Sequence, residues 1–167
     1  MKIIVNEQQL NNLKRRLIEN NSAWVFTPSN FANFVKNSGI RYPDIAIAQS
    51  MIETANFSSH IFKANNNLFG MQRPERRQTT ASGEKNGHAY YNSWVDSVKD
   101  YKLWQDSWPE LRNVNKQVYL KKLNDIYCHP PTCGLNDYAK KVSSLLGKAN
   151  TLFTAQQQTL PQSPINL

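Results

Sequence analysis

Two cysteines, six glycines and three histidines are all that the 167 residues hold of these types. So few cysteines exclude a disulfide-stapled scaffold. Cys128 and Cys133 stand close together as Cys-His-Pro-Pro-Thr-Cys, but His60 and His88 lie far from them and from each other. A structural zinc site wants four ligands in paired short spacings, so no metal is implied, and neither is an organic cofactor. A loop-closing disulfide and two free thiols both stay open for this pair. Long apolar runs are missing as well, and nothing approaches the roughly 20 residues of a membrane span. The opening MKIIVNEQQL carries a short apolar run and then turns polar. It lacks the extended apolar stretch and small-residue cleavage site of a secretory signal, so the protein is expected to be made without an export address.

Acidic residues are scarce too, 12 against 20 Lys and Arg, for a formal charge of +8. Such a surface is drawn to an anionic partner such as nucleic acid, membrane or bacterial envelope. The basic clusters Lys14-Arg15-Arg16, Arg73 to Arg77 and Lys121-Lys122 are short and are not interleaved with aromatics. That pattern reads as solvated faces and leaves out nucleic acid as a partner. With 40% hydrophobic residues, the sequence has the content of one globular domain, expected over residues 1–153 and monomeric. The Gln- and Pro-rich residues 154–167 read as a mobile tail.

The periodicity is helical almost throughout. Leu10, Leu13, Leu17 and Ile18 predict an amphipathic helix from Asn6 to Asn20. Thr27-Pro28 opens a second, with Phe31, Phe34 and Val35 on one face and Gly39 as its stop. Tyr42-Pro43-Asp44 opens a third that runs through Ile45, Ile47, Met51 and Ala55 and is apolar nearly all round, hence central. Between Gln72 and Asn92 a polar, turn-rich stretch predicts a β-hairpin or long loop. Ser93, with Asp96 three residues on, caps a further helix carrying Trp94, Val98, Tyr101 and Trp104 that Pro109 ends. Helices are also predicted over Lys116 to Ile126 and Asn136 to Leu146. The fold class is mainly α with one small β element.

The most telling feature is an isolated carboxylate. Between Asn20 and Pro74 the only acids are Asp44 and Glu53, and Glu53 ends the most apolar helix. Partial desolvation and the negative end of the helix dipole both favour its neutral form. A neutral carboxyl is poised to give a proton, which is what glycosidic cleavage asks of its general acid.

Ala48-Gln49, Glu53-Thr54 and Asn67-Leu68-Phe69-Gly70 together resemble the core of the glucosaminidase family of peptidoglycan hydrolases, family 73 of the glycoside hydrolases. The resemblance continues through Tyr91-Asn92-Ser93-Trp94, Asp96-Ser97-Val98 and Asp100-Tyr101, and spans roughly Pro43 to Val142. It implies a lysozyme-like helical fold with Glu53 as catalytic acid beside a sugar groove. Gln49, Thr54, Asn67, Leu68, Phe69, Tyr90, Tyr91 and Tyr138 become candidates for substrate binding. Leu68 and Phe69 are open to a plain packing role as well.

Two departures stand out. The family often places a second Glu after a Thr-Thr pair, but Thr79-Thr80 is followed by Ala81, leaving Glu84 as the nearest candidate for a second catalytic carboxylate. The family's tyrosine ahead of the last helix is also absent, since Thr132-Cys133-Gly134-Leu135 stands in its place. Tyr90 or Tyr91 is then available to supply polar contacts, and Tyr138 is open to a packing role.

The resemblance implies an endo-β-N-acetylglucosaminidase acting on bacterial peptidoglycan. A muramidase or lytic transglycosylase of similar fold, and a non-catalytic wall-binding or virion module, are the alternatives. A basic wall hydrolase without a leader fits a bacteriophage endolysin in the host cytoplasm before release, or a virion-associated lysin, with a bacterial autolysin as the alternative.

Overall fold

Helix starts follow from local chemistry. In α1 (Pro28–Asn37) the Thr27 hydroxyl accepts from Asn30 N–H and Pro28 opens the first turn. In α2 (Pro43–Glu53) Pro43 does the same behind a left-handed Tyr42. The short α3 (His60–Asn65), which periodicity does not predict, begins at Ser59, whose hydroxyl accepts from Phe62 N–H. The helix α4 (Trp94–Asp106) is capped by Ser93, which accepts from Asp96 N–H and donates to its carboxylate at 2.8 Å. Asn115 caps α5 (Lys116–Ile126), and α6 (Asp137–Thr154) is the last helix. The computed structural model describes residues 6–12, 25–127 and 137–154. Of the helix predicted over residues 6–20, residues 7–12 are helical and the rest lies outside the described residues, as do Cys128, Cys133 and the tail beyond Thr154.

The architecture is mainly α with one two-stranded antiparallel sheet. Strands β1 (Gly83–Lys85) and β2 (His88–Tyr90) pair with Glu84 opposite Ala89. Asn86 and Gly87 both take positive φ, 55° and 68°, as a two-residue hairpin turn demands. Three consecutive asparagines stitch this hairpin to the helices. The Asn65 amide donates to Lys85 C=O at 2.6 Å, and that of Asn66 to Tyr91 C=O at 3.0 Å. Asn67 Nδ2 donates to Met71 and Ala89 carbonyls, while its Oδ1 accepts from Phe69 and Met71 N–H.

Helix α2 is central, with Ile45 to Met51 all buried, and it packs chiefly against α6. The apolar face of α6 runs past the predicted end at Leu146, through Gly147 to buried Ala149 and the core-packed Leu152 and Phe153, which is why the helix reaches Thr154. Beneath α1 an aromatic cluster joins Phe26, Phe31, Phe57, Phe62 and Trp94, with Phe26 and Phe62 centroids 4.6 Å apart.

The predicted run of α2 to Ala55 stops two residues early, at Glu53. Ala55, Asn56 and Phe57 all adopt left-handed backbone, with φ of 47°, 55° and 65°. Thr54 holds the reversal: its hydroxyl accepts from Phe57 N–H at 2.8 Å, and its carbonyl from Ser58 and Ser59 N–H. Phe57 is thereby turned into the aromatic cluster.

Candidate active site

Glu53 is placed by its helix end. It is half-buried at the last position of α2, in the floor of a groove of about 640 Å³. One wall is helical, with Trp104 from α4, Ile126 and Tyr127 at the end of α5, and Tyr138 and Lys141 from α6. The other is the loop from Phe69 to Arg77. Within it Gly70 has φ of +63°, and a Cβ there would stand 3.0 Å from Glu53 Oε2. Only glycine both takes this backbone readily and leaves that oxygen open.

Burial pushes the Glu53 carboxyl above its ordinary value, against the Tyr138 hydrogen bond and the His88 charge, which favour ionisation. The Tyr138 hydroxyl donates to Oε1 at 2.8 Å. Burial, and then the neighbouring Glu53, raise the Tyr138 hydroxyl well above the usual tyrosine range, so it stays a donor. Glu53 is the only carboxylate among the described residues that line the groove.

Tyr138 and Phe69 line the groove with Glu53, whereas the other predicted residues lie outside its lining. Gln49 is fully buried and donates to the Tyr138 hydroxyl at 3.2 Å. Thr54 is buried and closes the helix end, and Asn67 is buried and builds the turn that follows α3. Leu68 lies in the core. Phe69 is almost wholly buried, its ring stacked on Tyr101 at 4.1 Å, and lines the groove from within.

Tyr91 is buried, and its hydroxyl donates to Asp100 at 2.8 Å. Tyr90 is half-buried on β2, its carbonyl accepting from Ser82 N–H at 2.8 Å. Glu84 is exposed on β1 and is not among the residues lining the groove.

Sequence reasoning misses Tyr127. Its ring stacks on Tyr138 at 5.7 Å and 18°, and its hydroxyl donates to the Phe69 carbonyl, tying the helical wall to the loop wall. The signal is present in the inward spacing of Tyr119, Leu123, Ile126 and Tyr127, which carries the buried face of α5 on to the helix end.

Arg77 reads in the sequence only as part of a charge run. It instead binds Asp100 through two parallel hydrogen bonds of 2.8 and 3.0 Å. Burial alone would raise the Asp100 carboxyl. Hydrogen bonds from Arg77, Thr79 and Tyr91, with the Arg77 charge, outweigh it and hold Asp100 below its ordinary value.

A carboxyl whose hold on its proton is strengthened by burial, with one oxygen beside Gly70 in an aromatic-lined groove, has the means to protonate the bridging oxygen of a sugar polymer. The glucosaminidase family, described as mannosyl-glycoprotein endo-beta-N-acetylglucosaminidase, matches residues 29–151, and the protein belongs to that family. It is therefore a glycoside hydrolase of the endo-β-N-acetylglucosaminidase kind. No curated protein and no solved structure matches it. Among the described residues no helix is long and apolar enough to cross a membrane.

Proposed function

We propose that the enzyme cuts the glycan strand of bacterial peptidoglycan on the reducing side of N-acetylglucosamine, with Glu53 as the general acid. The observation that carries this reading is one carboxyl in the groove, the only one among the described lining residues, whose hold on its proton burial strengthens and whose Oε2 lies beside Gly70. Glu53 gives its proton to the leaving oxygen as the C1–O bond breaks. The walls supply the half-buried Trp104 and Tyr127 as aromatic surface for sugar rings.

An inverting route requires a second carboxylate roughly 6.5–9.5 Å from the acid to activate water. With Glu53 the only carboxylate among the described lining residues, the substrate's own acetamido oxygen is the better nucleophile. It attacks C1 from the face opposite the leaving group and gives a cyclic oxazolinium. Water then adds to C1 and reopens the ring, its proton passing to the Glu53 carboxylate, which restores the acid. Two displacements at C1 retain the anomeric configuration.

Digestion of purified peptidoglycan with wild type and Glu53→Gln in parallel tests this. Mass spectrometry should show new reducing N-acetylglucosamine ends for wild type and almost none for the variant. Proton NMR of the fresh product should show the β-anomer first. Reducing muramic acid ends, or an anhydro sugar, would assign a different bond or reaction. An α-anomer formed first would remove the acetamido route.

A further inference from the structure

Three charged side chains line the groove: Glu53 in its floor, Arg77 on the loop wall and Lys141 on α6. The two cations are not equivalent. Arg77 gives both terminal nitrogens to Asp100, at 2.8 and 3.0 Å, and a further hydrogen bond to Gln78 C=O. Asp100 is fully buried, so this charge is cancelled within the wall and is not offered to a ligand.

Lys141 is exposed, and the ion pairs among the described residues leave it out. Asp137, four positions earlier on α6, does not bridge to it, and residues 128–136 ahead of that helix include no Asp or Glu. With Glu53 in its acid form, the form the proposed reaction needs, Lys141 is the one uncompensated charge among the described lining residues.

Its place on the helix brings that charge to the chemistry. Lys141 follows Tyr138 by three residues, so the two side chains are neighbours on one face of α6, and both line the groove. The Tyr138 hydroxyl is the one that donates to Glu53 Oε1, at 2.8 Å. A free ammonium thus stands one helical turn from the residue that touches the acid.

Cutting peptidoglycan on the reducing side of N-acetylglucosamine makes O4 of a muramic residue the leaving oxygen. Muramic acid differs from glucosamine by a lactyl ether on O3, at the adjoining carbon. The oxygen that takes the Glu53 proton and the arm that bears a carboxylate therefore sit on neighbouring carbons of one sugar. A neutral chain of N-acetylglucosamine has only a hydroxyl there.

We propose that Lys141 reads this arm, its ammonium pairing with a carboxylate on the lactyl side chain of the muramic residue whose O4 leaves. This rests on the peptidoglycan reading of the same groove and names the part of the substrate that sets it apart from a neutral sugar chain. Two sources carry the same chemistry. One is the lactyl carboxylate itself, where a strand is free of peptide, and the other is a carboxylate of the stem peptide, where the lactyl group is amidated. Lys141 acts on specificity and takes no part in proton transfer.

The test uses the full-length protein and glycan strands stripped of stem peptides by an amidase. kcat and KM are measured on these strands and on the same strands with their lactyl carboxylates capped as methylamides. Wild type should favour the charged strands over the capped ones. Lys141→Gln should cut that preference about two- to fivefold, through KM with little change in kcat, as befits an exposed ion pair made before the chemical step. Lys141→Arg should keep most of it. Lys63→Gln removes the same charge from an exposed position on α3 outside the groove lining, and should keep the wild-type preference.

The same comparison on peptide-bearing strands, with and without capped peptide carboxylates, separates the two sources: wherever Lys141→Gln lowers the preference, that carboxylate is the partner. An equal preference in wild type and Lys141→Gln on both substrates, or an equal loss in Lys63→Gln, would overturn the pairing while leaving the peptidoglycan reading intact. Failure of wild type to cut any of these strands would overturn the peptidoglycan reading, and the pairing with it.

Discussion

The helical wall of the groove holds its reactive group through side chains with almost no access to water, while the loop and hairpin opposite are held mainly through backbone. On the first side Gln49 and Tyr101 are fully buried and Tyr138 nearly so, and each spends its polar atoms on the next. On the second, Asn67 and Ala89 anchor backbone atoms of the Met71 turn, and the hairpin beyond carries exposed Glu84, Lys85 and Asn86. One wall fixes a proton, and the other fixes a shape. Substitutions on the two sides should therefore fail in different ways.

The sharpest test of that contrast is Glu53→Gln, expected to lower the hydrolysis rate by about 10² or more in assays on purified walls. Its effect on stability has the opposite sign. The folded carboxyl is raised above its unfolded value, so its stabilising share is present in full below the unfolded value and is lost as pH rises through the folded one. Near neutral pH the glutamine variant should therefore melt at or above the wild-type Tm, and the gap should close in acid. A Tm that falls together with activity would make Glu53 a structural residue.

Next in size is Asp100→Asn, which leaves the Arg77 guanidinium without its carboxylate behind the loop wall and should cost about 2 kcal/mol in denaturant unfolding. Asp100 is held below its unfolded value, so its contribution is present above that value and disappears as pH falls through the folded one. Wild type and variant should thus converge only in strong acid.

Gly70→Ala crosses between the walls. A left-handed φ and a Cβ at 3.0 Å from Oε2 together should cost about 1 kcal/mol of stability and lower kcat more than they raise KM. Lys141 is exposed on the helical wall and, among the described residues, makes no ion pair. Lys141→Gln should weaken sedimentation with purified walls about twofold at low salt, with the difference lost as added salt screens it. Smallest of all is Glu84→Gln, expected to change turnover less than twofold and stability by less than about 0.5 kcal/mol. A large loss of turnover there would return the hairpin to the chemistry and remove the contrast between the walls.

The same contrast explains what is legible in the sequence. Helices with a capping side chain or an opening proline, at Thr27-Pro28, Pro43, Ser93 and Asn115, are written in local chemistry and appear where expected. Glu53 is legible because an acid at the end of an apolar helix is a local anomaly. The left-handed residues 55–57 are not, since Ala and Phe have no intrinsic preference for that backbone and take it only because the Thr54 hydrogen bonds and the aromatic cluster impose it.

Site roles are harder to read than site residues. The Gln49, Thr54 and Asn67 side chains belong to the motif, yet they meet partners 89, 4 and 22 positions away in sequence and are buried. A motif records that a residue is needed, and only tertiary contact tells whether it meets substrate or another side chain. Tyr127 shows the converse, because its value lies in stacking on Tyr138 across two helices, a neighbour relation invisible in one dimension.

The left-handed reversal after Glu53 also has a kinetic consequence. Three successive L-residues in that region are unfavourable by themselves, and they gain support only once Phe57 is seated between Phe26 and Phe31. The body of α2, Ile45 to Met51, is buried and packed against α6 and does not include the reversal. Residues 54–57 should therefore show φ-values of folding near zero, so that Thr54→Ala speeds unfolding while leaving the refolding rate nearly unchanged. Such values would make the end of the helix that bears the acid the last part of it to be locked and the first to open.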